Sequence, residues 1–462
     1  MSVSHELVKR VATKTRVEQV ESINYMSVSI DTRSLQSGAL YIPIVGERFD
    51  GHQFLAQAIE AGAKAAIWQG DVPVPKDLPD SFQLYFVQDT LTTLQELAKQ
   101  YRAEVNPSVI AVTGSNGKTT VKDMLSSILT FAGPTYKTQG NFNNHIGLPL
   151  TILGMPKDCQ YLILEMGMSG YGEIHLLSML SLPNAAVITN IGESHMEQLG
   201  SREGIAKAKA EIRDGLVEAG TLYIDGDEPL LATLTEDTVC SVGFSQSSDR
   251  QISEVHANAE GFHFTLHGVG QLVIPLLGRH NVKNAALAAS LAAGLGLSYD
   301  QIQAGLKQVK ISSMRLERSK GSRGELMIND AYNASPTSMV ASLEALKDIT
   351  GFSKYVAVLG DMYELGEQEK ALHEQMAPHI TTPITHLLTV GQKGKWISES
   401  VAQSDKTSNI SLLHAATVEE ATDLLAPLLS EETVVLLKAS RGLKLEKIIN
   451  DLLVSEKGEM NK

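Results

Sequence analysis

The chain has 462 residues, 43% of them apolar and 20% charged, and a formal net charge of −14. This length asks for about three domains, and an ordinary apolar content without low-complexity tracts excludes a disordered chain. Lysines and arginines are scattered rather than gathered into a stripe, which argues against a nucleic-acid partner, and the acidic balance leaves any anionic substrate to be held by local groups.

The N-terminus lacks the basic-then-apolar design of a signal peptide, and no apolar run reaches membrane-spanning length, so the expected location is cytoplasmic with no stable membrane insertion. Cys159 and Cys240 have no metal-ligand spacing and suit a reducing compartment. The first elements are a strand over 39–44, a helix over 54–61, strands over 65–68 and 84–87, and a helix over 90–102. The residue before a proline is pushed out of helical geometry, so a boundary is placed at Asn106-Pro107 and a small α/β domain over 1–106. From Val109 the pattern is an apolar strand, a glycine loop and a helix, followed by strands over 161–164 and 185–189, a β-richer stretch over 261–276 and an alanine-rich helix over 281–294. These make a second domain, 107–312. Strands over 325–328, 355–359, 386–390 and 434–437 make a third, 313–462. Alternation of this kind predicts α/β architecture with mostly parallel sheets.

The most informative loop is Thr113-Gly114-Ser115-Asn116-Gly117-Lys118-Thr119-Thr120. Glycines let backbone amides approach phosphate oxygens, a helix N-terminus adds a favourable dipole, Lys118 can reach the β- and γ-phosphates, and Thr119 can hold magnesium. Val112 stands where the common P-loop pattern has its first glycine. The alternative is a glycine turn with a surface lysine.

Three further segments place polar residues at strand ends or on an apolar helix face. Glu165 closes a buried strand and is a natural magnesium ligand, or else a solvated strand-end carboxylate. His195 sits in the loop after the next strand, where an ordinary loop role is the alternative. In residues 204–216, helical spacing puts Ile205, Lys209, Ile212 and Leu216 on one face and Lys207 on another. A lysine on an apolar face has a lowered pKa and can react with carbon dioxide to give a metal-binding carbamate; otherwise its stem simply covers the core.

Together these segments resemble the Mur ligase family, ATP-dependent amide-forming enzymes of peptidoglycan synthesis, along the whole chain. The resemblance implies a small N-terminal α/β domain binding a uridine nucleotide, a central P-loop parallel-sheet domain binding ATP, and a C-terminal Rossmann-like α/β domain. It implies two Mg2+ ions held by Thr119, Glu165, His195 and carbamylated Lys209, with catalysis resting on Lys118, Lys209 and His195. Asn281 is then near the adenine, Arg315 at a phosphate and Asp330 at the ribose. Residues 138–149, 329–336 and 359–366 are similar to those of members whose substrates are UDP-N-acetylmuramoyl-tripeptide and D-alanyl-D-alanine, which implies substrate contacts at Thr138, Gln139, Asn141, Asn144, Tyr332 and Asn333. Asp31, Thr32, Arg33 and Ser34, with Arg48, Asp50 and His52, look like the uridine-nucleotide segments, and Ser440-Arg441 is the expected grip on the dipeptide carboxylate. Asn329 and Ser335 depart from the family pattern, where an acidic residue and Asn are expected. A monomer is expected. Two other readings are a folylpolyglutamate synthase, which should lack the first domain, and a P-loop ATPase without ligation.

Overall fold

Proline and glycine decide where several elements of this chain stop. The computed structural model describes residues 3–17, 24–46, 48–258, 261–404 and 409–452, which form two compact units. Glu47, next to the expected uridine-nucleotide residue Arg48, lies outside the described residues.

The first unit takes Met1–Thr113, Leu129–Val187 and Ala210–Leu222. One of its sheets runs in the order Lys14–Thr15, Gln83–Val87, Ala65–Gln69, Leu40–Tyr41, Val28–Ser29, parallel except at Lys14–Thr15. The expected strand over 39–44 shrinks to Leu40–Tyr41 because Pro43 has no N–H to extend the ladder. Tyr41, Leu55, Trp68 and Leu84 pack in the core beneath this sheet. Helix Thr90–Val105 buries Leu94, Leu97, Ala98 and Tyr101, a stripe at helical spacing. Asp89 caps it by accepting the Thr92 N–H at 2.6 Å, and Asn106, at φ 52, ends it before Pro107, one turn beyond the expected stop. Strand Ser108–Thr113 then runs parallel to Tyr161–Glu165, which pairs on its far side with Thr135–Lys137. Glu165 lies opposite Val112, at the end of its strand.

The second unit takes Gly114–Ile128, Ile188–Lys209 and Tyr223–Lys462. Its six-stranded sheet runs Glu317–Lys320, Leu326–Asn329, Thr433–Lys438, Lys354–Gly360, His386–Val390, Ser411–Ala415. All neighbours are parallel except the first pair, a hairpin. Alternate residues of the buried central strand, Val435 and Leu437 against Val434 and Leu436, enter separate cores on its two faces, as a doubly covered parallel sheet requires. The β-rich stretch is an antiparallel ladder of Arg250–Asn258, Gly261–Leu266 and Gly270–Ile274. The alanine-rich helix runs Arg279–Gly294, starting after Gly278 at φ 83.

The expected helical face over 204–216 holds only in its first half. The α-helix is Arg202–Ala210, with Ile205 and Lys209 buried and Lys207 exposed. Glu211–Gly215 then tightens into a 3-10 turn and Leu216 is extended. The reason is a close approach: a Cβ on Gly215 would strike the Ser178 carbonyl, and the Ser178 hydroxyl donates to Ile212 O at 2.5 Å while accepting the Gly215 N–H at 3.0 Å.

Candidate active site

The glycine loop is shaped by what its neighbours leave no room for. Gly114 has φ +147 and a Cβ there would collide with the Thr189 hydroxyl; Gly117 has φ +81 and a Cβ there would lie 2.6 Å from Asn284 Oδ1. Both positions therefore need glycine. The backbone between them is held from outside. Ser115 N–H donates to Asn190 O at 3.0 Å, Asn116 N–H to Asn190 Oδ1 at 2.8 Å, and Gly192 N–H to the Ser115 hydroxyl at 2.9 Å. Helix Lys118–Leu129 follows at once, so the loop ends on a helix N-terminus, as anion binding wants. Lys118 folds back over the loop, its ammonium donating to Gly114 O at 2.8 Å and Ser115 O at 3.3 Å. Thr119 and Thr120 are buried at the start of the helix.

Arg315 arrives at the same place. Its Nη2 donates to the Thr119 hydroxyl at 2.8 Å, and its guanidinium lies 4.2 Å over the Tyr332 ring. Its Nε is buried without a hydrogen-bond partner. An orphaned guanidinium N–H beside a threonine hydroxyl and a glycine cradle fits a phosphate group carrying magnesium. No group of three or more His, Cys, Asp and Glu side chains among the described residues is arranged for a metal. Magnesium commonly takes one or two protein ligands and completes its shell with phosphate oxygens and water.

Lys209 is buried, and its pKa lies well below the ordinary lysine value, first because burial penalises the ammonium and second because Lys118 is a like charge. His195, at φ 65, opens the short helix Met196–Leu199. Its Nδ1 lies 2.8 Å from Glu364 Oε2, an ion-pair distance at an angle short of an aligned hydrogen bond. The imidazole holds the Glu364 carboxyl below its usual range.

Two expected nucleotide contacts face inward. Asn281 donates from Nδ2 to Leu277 O at 2.7 Å and accepts from Asn284 Nδ2 at 3.0 Å, so it reaches the loop only through Asn284, which packs on Gly117. Asp330 Oδ2 accepts from Lys438 Nζ at 2.6 Å and Ser342 Oγ at 2.5 Å, and Oδ1 accepts the Leu316 N–H at 3.1 Å. Ser335 caps helix Pro336–Lys347 and lies 3.4 Å from Asn116 Nδ2. Tyr332 is half-buried and Asn333 exposed. Ser440 donates to Ala334 O at 3.4 Å, while exposed Arg441 reaches Glu446 at 2.7 Å.

The remaining expected residues belong to the first unit. Glu165 is 4% exposed, accepts from Asn143 Nδ2 at 3.0 Å, and its N–H donates to the buried Thr138 hydroxyl at 3.0 Å. Gln139 and Asn141 are exposed, and Asn144 Oδ1 accepts the Gly147 N–H at 2.8 Å at the start of helix Gly147–Gly154. Asp31 forms a bidentate pair with exposed Arg33, near half-buried Thr32 and exposed Ser34. Arg48 is exposed; His52 is buried against Trp68 with its Nδ1 2.6 Å from Asp50 Oδ1. Sequence reasoning passed over Asn190, Asn284, Lys438 and Glu364. Asn284 lies three residues beyond Asn281 and Glu364 lies inside 359–366, but nothing in their spacing says which side chain turns toward the loop.

Comparison with known proteins matches three family models: the Mur ligase family catalytic domain over residues 24–102, the Mur ligase middle domain over 112–292, and the Mur ligase glutamate ligase domain over 314–441. The UDP-N-acetylmuramoyl-tripeptide--D-alanyl-D-alanine ligase of Bacillus subtilis is 45% identical over 97% of both chains. A crystal structure of MurF from Acinetobacter baumannii superposes with a TM-score of 0.86 at 30% identity, covering 98% of this chain and 99% of that one. MurF ligase from Thermotoga maritima in complex with ADP superposes with a TM-score of 0.82 at 27% identity, covering 94% and 99%.

Proposed function

Because the chain belongs to the Mur ligase family, with its N-terminal, central and C-terminal domains, we propose that it is the ATP-dependent ligase that adds D-alanyl-D-alanine to UDP-N-acetylmuramoyl-tripeptide, giving the pentapeptide precursor of peptidoglycan. The observation that carries this reading is 45% identity over 97% of the chain to a ligase of that name, a match that spans the uridine-nucleotide segment as well as the ATP loop. A folylpolyglutamate synthase has no counterpart to that first domain, and a plain ATPase has no need of one. The proposed domain limits are 1–106, 107–312 and 313–462, a reading supported by family segments matched at 24–102, 112–292 and 314–441.

A carboxylate is a poor electrophile, so the reaction must first turn one of its oxygens into a leaving group. The tripeptide carboxylate attacks the γ-phosphorus of ATP, ADP leaves, and an acyl phosphate forms. The amine of D-alanyl-D-alanine then attacks the acyl carbon, and phosphate departs with one carboxylate oxygen. Lys118, lifted from the loop carbonyls it now contacts, and Arg315, with its unpartnered Nε, face the phosphate charge that grows in the first step. Magnesium, when bound, neutralises phosphate charge and orients the transferred group. Thr119, Glu165, His195 and Lys209 are the residues that would hold it. Burial makes Lys209 neutral enough to attack carbon dioxide, with loss of a proton, and the resulting carbamate would turn its repulsion with Lys118 into attraction. Ser115, Asn116 and Gly117 form the loop assigned to the phosphates; Asn190 already takes the N–H groups of Ser115 and Asn116, so the N–H groups of Gly117 and of the helix start are the ones assigned to phosphate oxygens.

Asp31, Thr32, Arg33, Ser34, Arg48 and Asp50 are assigned to the uridine nucleotide, with His52 acting from beneath through Asp50. Thr138, Gln139, Asn141, Asn144, Tyr332 and Asn333 are assigned to the tripeptide end, and Ser440 and Arg441 to the dipeptide carboxylate. Asn281 and Asp330 are assigned to the ATP site, which Asn281 supports through Asn284 and Asp330 through the Leu316 N–H, next to Arg315. We assign the enzyme to the cytoplasm as a monomer; its two free cysteines suit a reducing compartment, and among the described residues no helix is long and apolar enough to cross a membrane. The test is phosphate release from ATP with each substrate alone and with both. Turnover with both supports the ligase, whereas equal turnover with neither supports the ATPase.

A further inference from the structure

The loop from Asp361 to Gly366 is tied at successive residues. Asp361 Oδ1 accepts the N–H groups of Lys393 and Gly394 at 2.9 and 2.7 Å. Met362 N–H donates to His373 Nε2 at 2.9 Å, and His373 Nδ1 lies 2.6 Å from Glu369 O, which fixes that buried ring as the Nδ1–H tautomer. Tyr363 N–H donates to Ser440 Oγ at 2.9 Å, and Ser440 N–H donates to Asp361 O at 2.9 Å. Next in the chain is Glu364, whose carboxylate is held 2.8 Å from Nδ1 of His195. Glu364 has φ 62 and His195 has φ 65, so two non-glycine residues in the left-handed region face one another from separate loops. Glu197 N–H reaches Glu364 O at 3.4 Å and closes the contact. Left-handed backbone at such residues persists only where the surroundings over-determine it.

We propose that Glu364 is a positioning residue: it keeps the proton of His195 on Nδ1 and so leaves the Nε2 lone pair free to bind a divalent cation. An imidazole offers a metal only the nitrogen that lacks a proton, and a carboxylate on the other nitrogen sets which one that is while raising its basicity. This rests on the reading of His195 as a metal ligand. The same loop grips Ser440, so the residue that aims the imidazole and the turn assigned to the dipeptide are parts of one tied segment.

The experiment uses the full-length enzyme labelled with 15N-histidine, a non-hydrolysable ATP analogue, and Mn2+ as a paramagnetic stand-in for Mg2+. NMR reads the His195 tautomer and electron paramagnetic resonance reads Mn2+ affinity. Glu364→Ala is expected to shift His195 from a single Nδ1–H form to a mixture and to weaken Mn2+ binding by about tenfold. Glu364→Gln, which keeps an acceptor, is expected to restore the tautomer and most of the affinity. An unchanged tautomer in Glu364→Ala overturns the proposal; should that variant not fold, an unchanged tautomer in Glu364→Asp, whose carboxylate is withdrawn by one methylene, does the same. His195→Ala separates the two ideas. Weaker Mn2+ binding in His195→Ala but not in Glu364→Ala removes the positioning role alone, while unaltered binding in His195→Ala removes the ligand reading and the proposal with it.

Discussion

Lys209 states the residue-scale argument most sharply, because a buried ammonium beside Lys118 has no stable place in this interior. Lys209→Ala is expected to lower turnover by about a hundredfold or more, with partial recovery when formate or acetate is supplied in the assay; full activity in the variant would remove the carbamate from the account. His280 gives a second prediction. Burial pushes its pKa down to about 4, with Asp330 opposing and Lys438 assisting. Between that value and the ordinary 6.5 the unfolded chain binds a proton the folded chain refuses, so stability rises with pH across this window and is lost as pH falls through it. The ring is surrounded by protein yet keeps a partly accessible surface. Screening through that opening cuts the full effect of about 2 kcal/mol between pH 7 and 5 to about 1 kcal/mol. Guanidinium unfolding at the two pH values should show this loss in the native protein and a flatter response in His280→Gln. At this scale the sequence identified residue types well and orientations poorly. Lys209 was legible because its partner Ile205 sits one turn away on the same helix, whereas the inward turn of Asp330 depends on Lys438, 108 positions along the chain.

At the scale of elements, the strand, glycine loop and helix over 108–129 form as their pattern requires, since local chemistry decides each piece. Gly117→Ala tests this directly. A Cβ at φ +81 costs about 1 kcal/mol in backbone strain, and the contact at 2.6 Å with Asn284 Oδ1 must also be relieved. The expected outcome is a lower melting temperature together with a KM for ATP raised about tenfold or more; a variant with native KM would show that the loop does not carry the phosphates. Strands Val239–Gly243 and Arg250–Asn258 went unread because the second carries charged and polar residues at most of its exposed positions and shows no clean alternation. The helix expected to run to Leu216 stopped at Ala210 because Gly215 is drawn against Ser178, a tertiary contact that spacing along the chain does not encode.

At the scale of the whole molecule, three matched family segments and near-complete coverage of a named ligase make the reaction, rather than the nucleotide site alone, the central claim. Composition had already pointed to several α/β domains, and the resemblance of short motifs named the family; no pattern of spacing could say which acceptor the enzyme takes, because acceptor choice lies in the shape formed by distant loops. The most direct measurement supplies UDP-N-acetylmuramoyl-tripeptide carrying 18O in its terminal carboxylate, with ATP, magnesium and D-alanyl-D-alanine, and follows the mass of the released phosphate. One 18O atom in each phosphate, with a nucleotide product heavier by the dipeptide residue, is the predicted result, since phosphate must leave with an oxygen of the activated carboxylate. Phosphate released without the label would contradict the account.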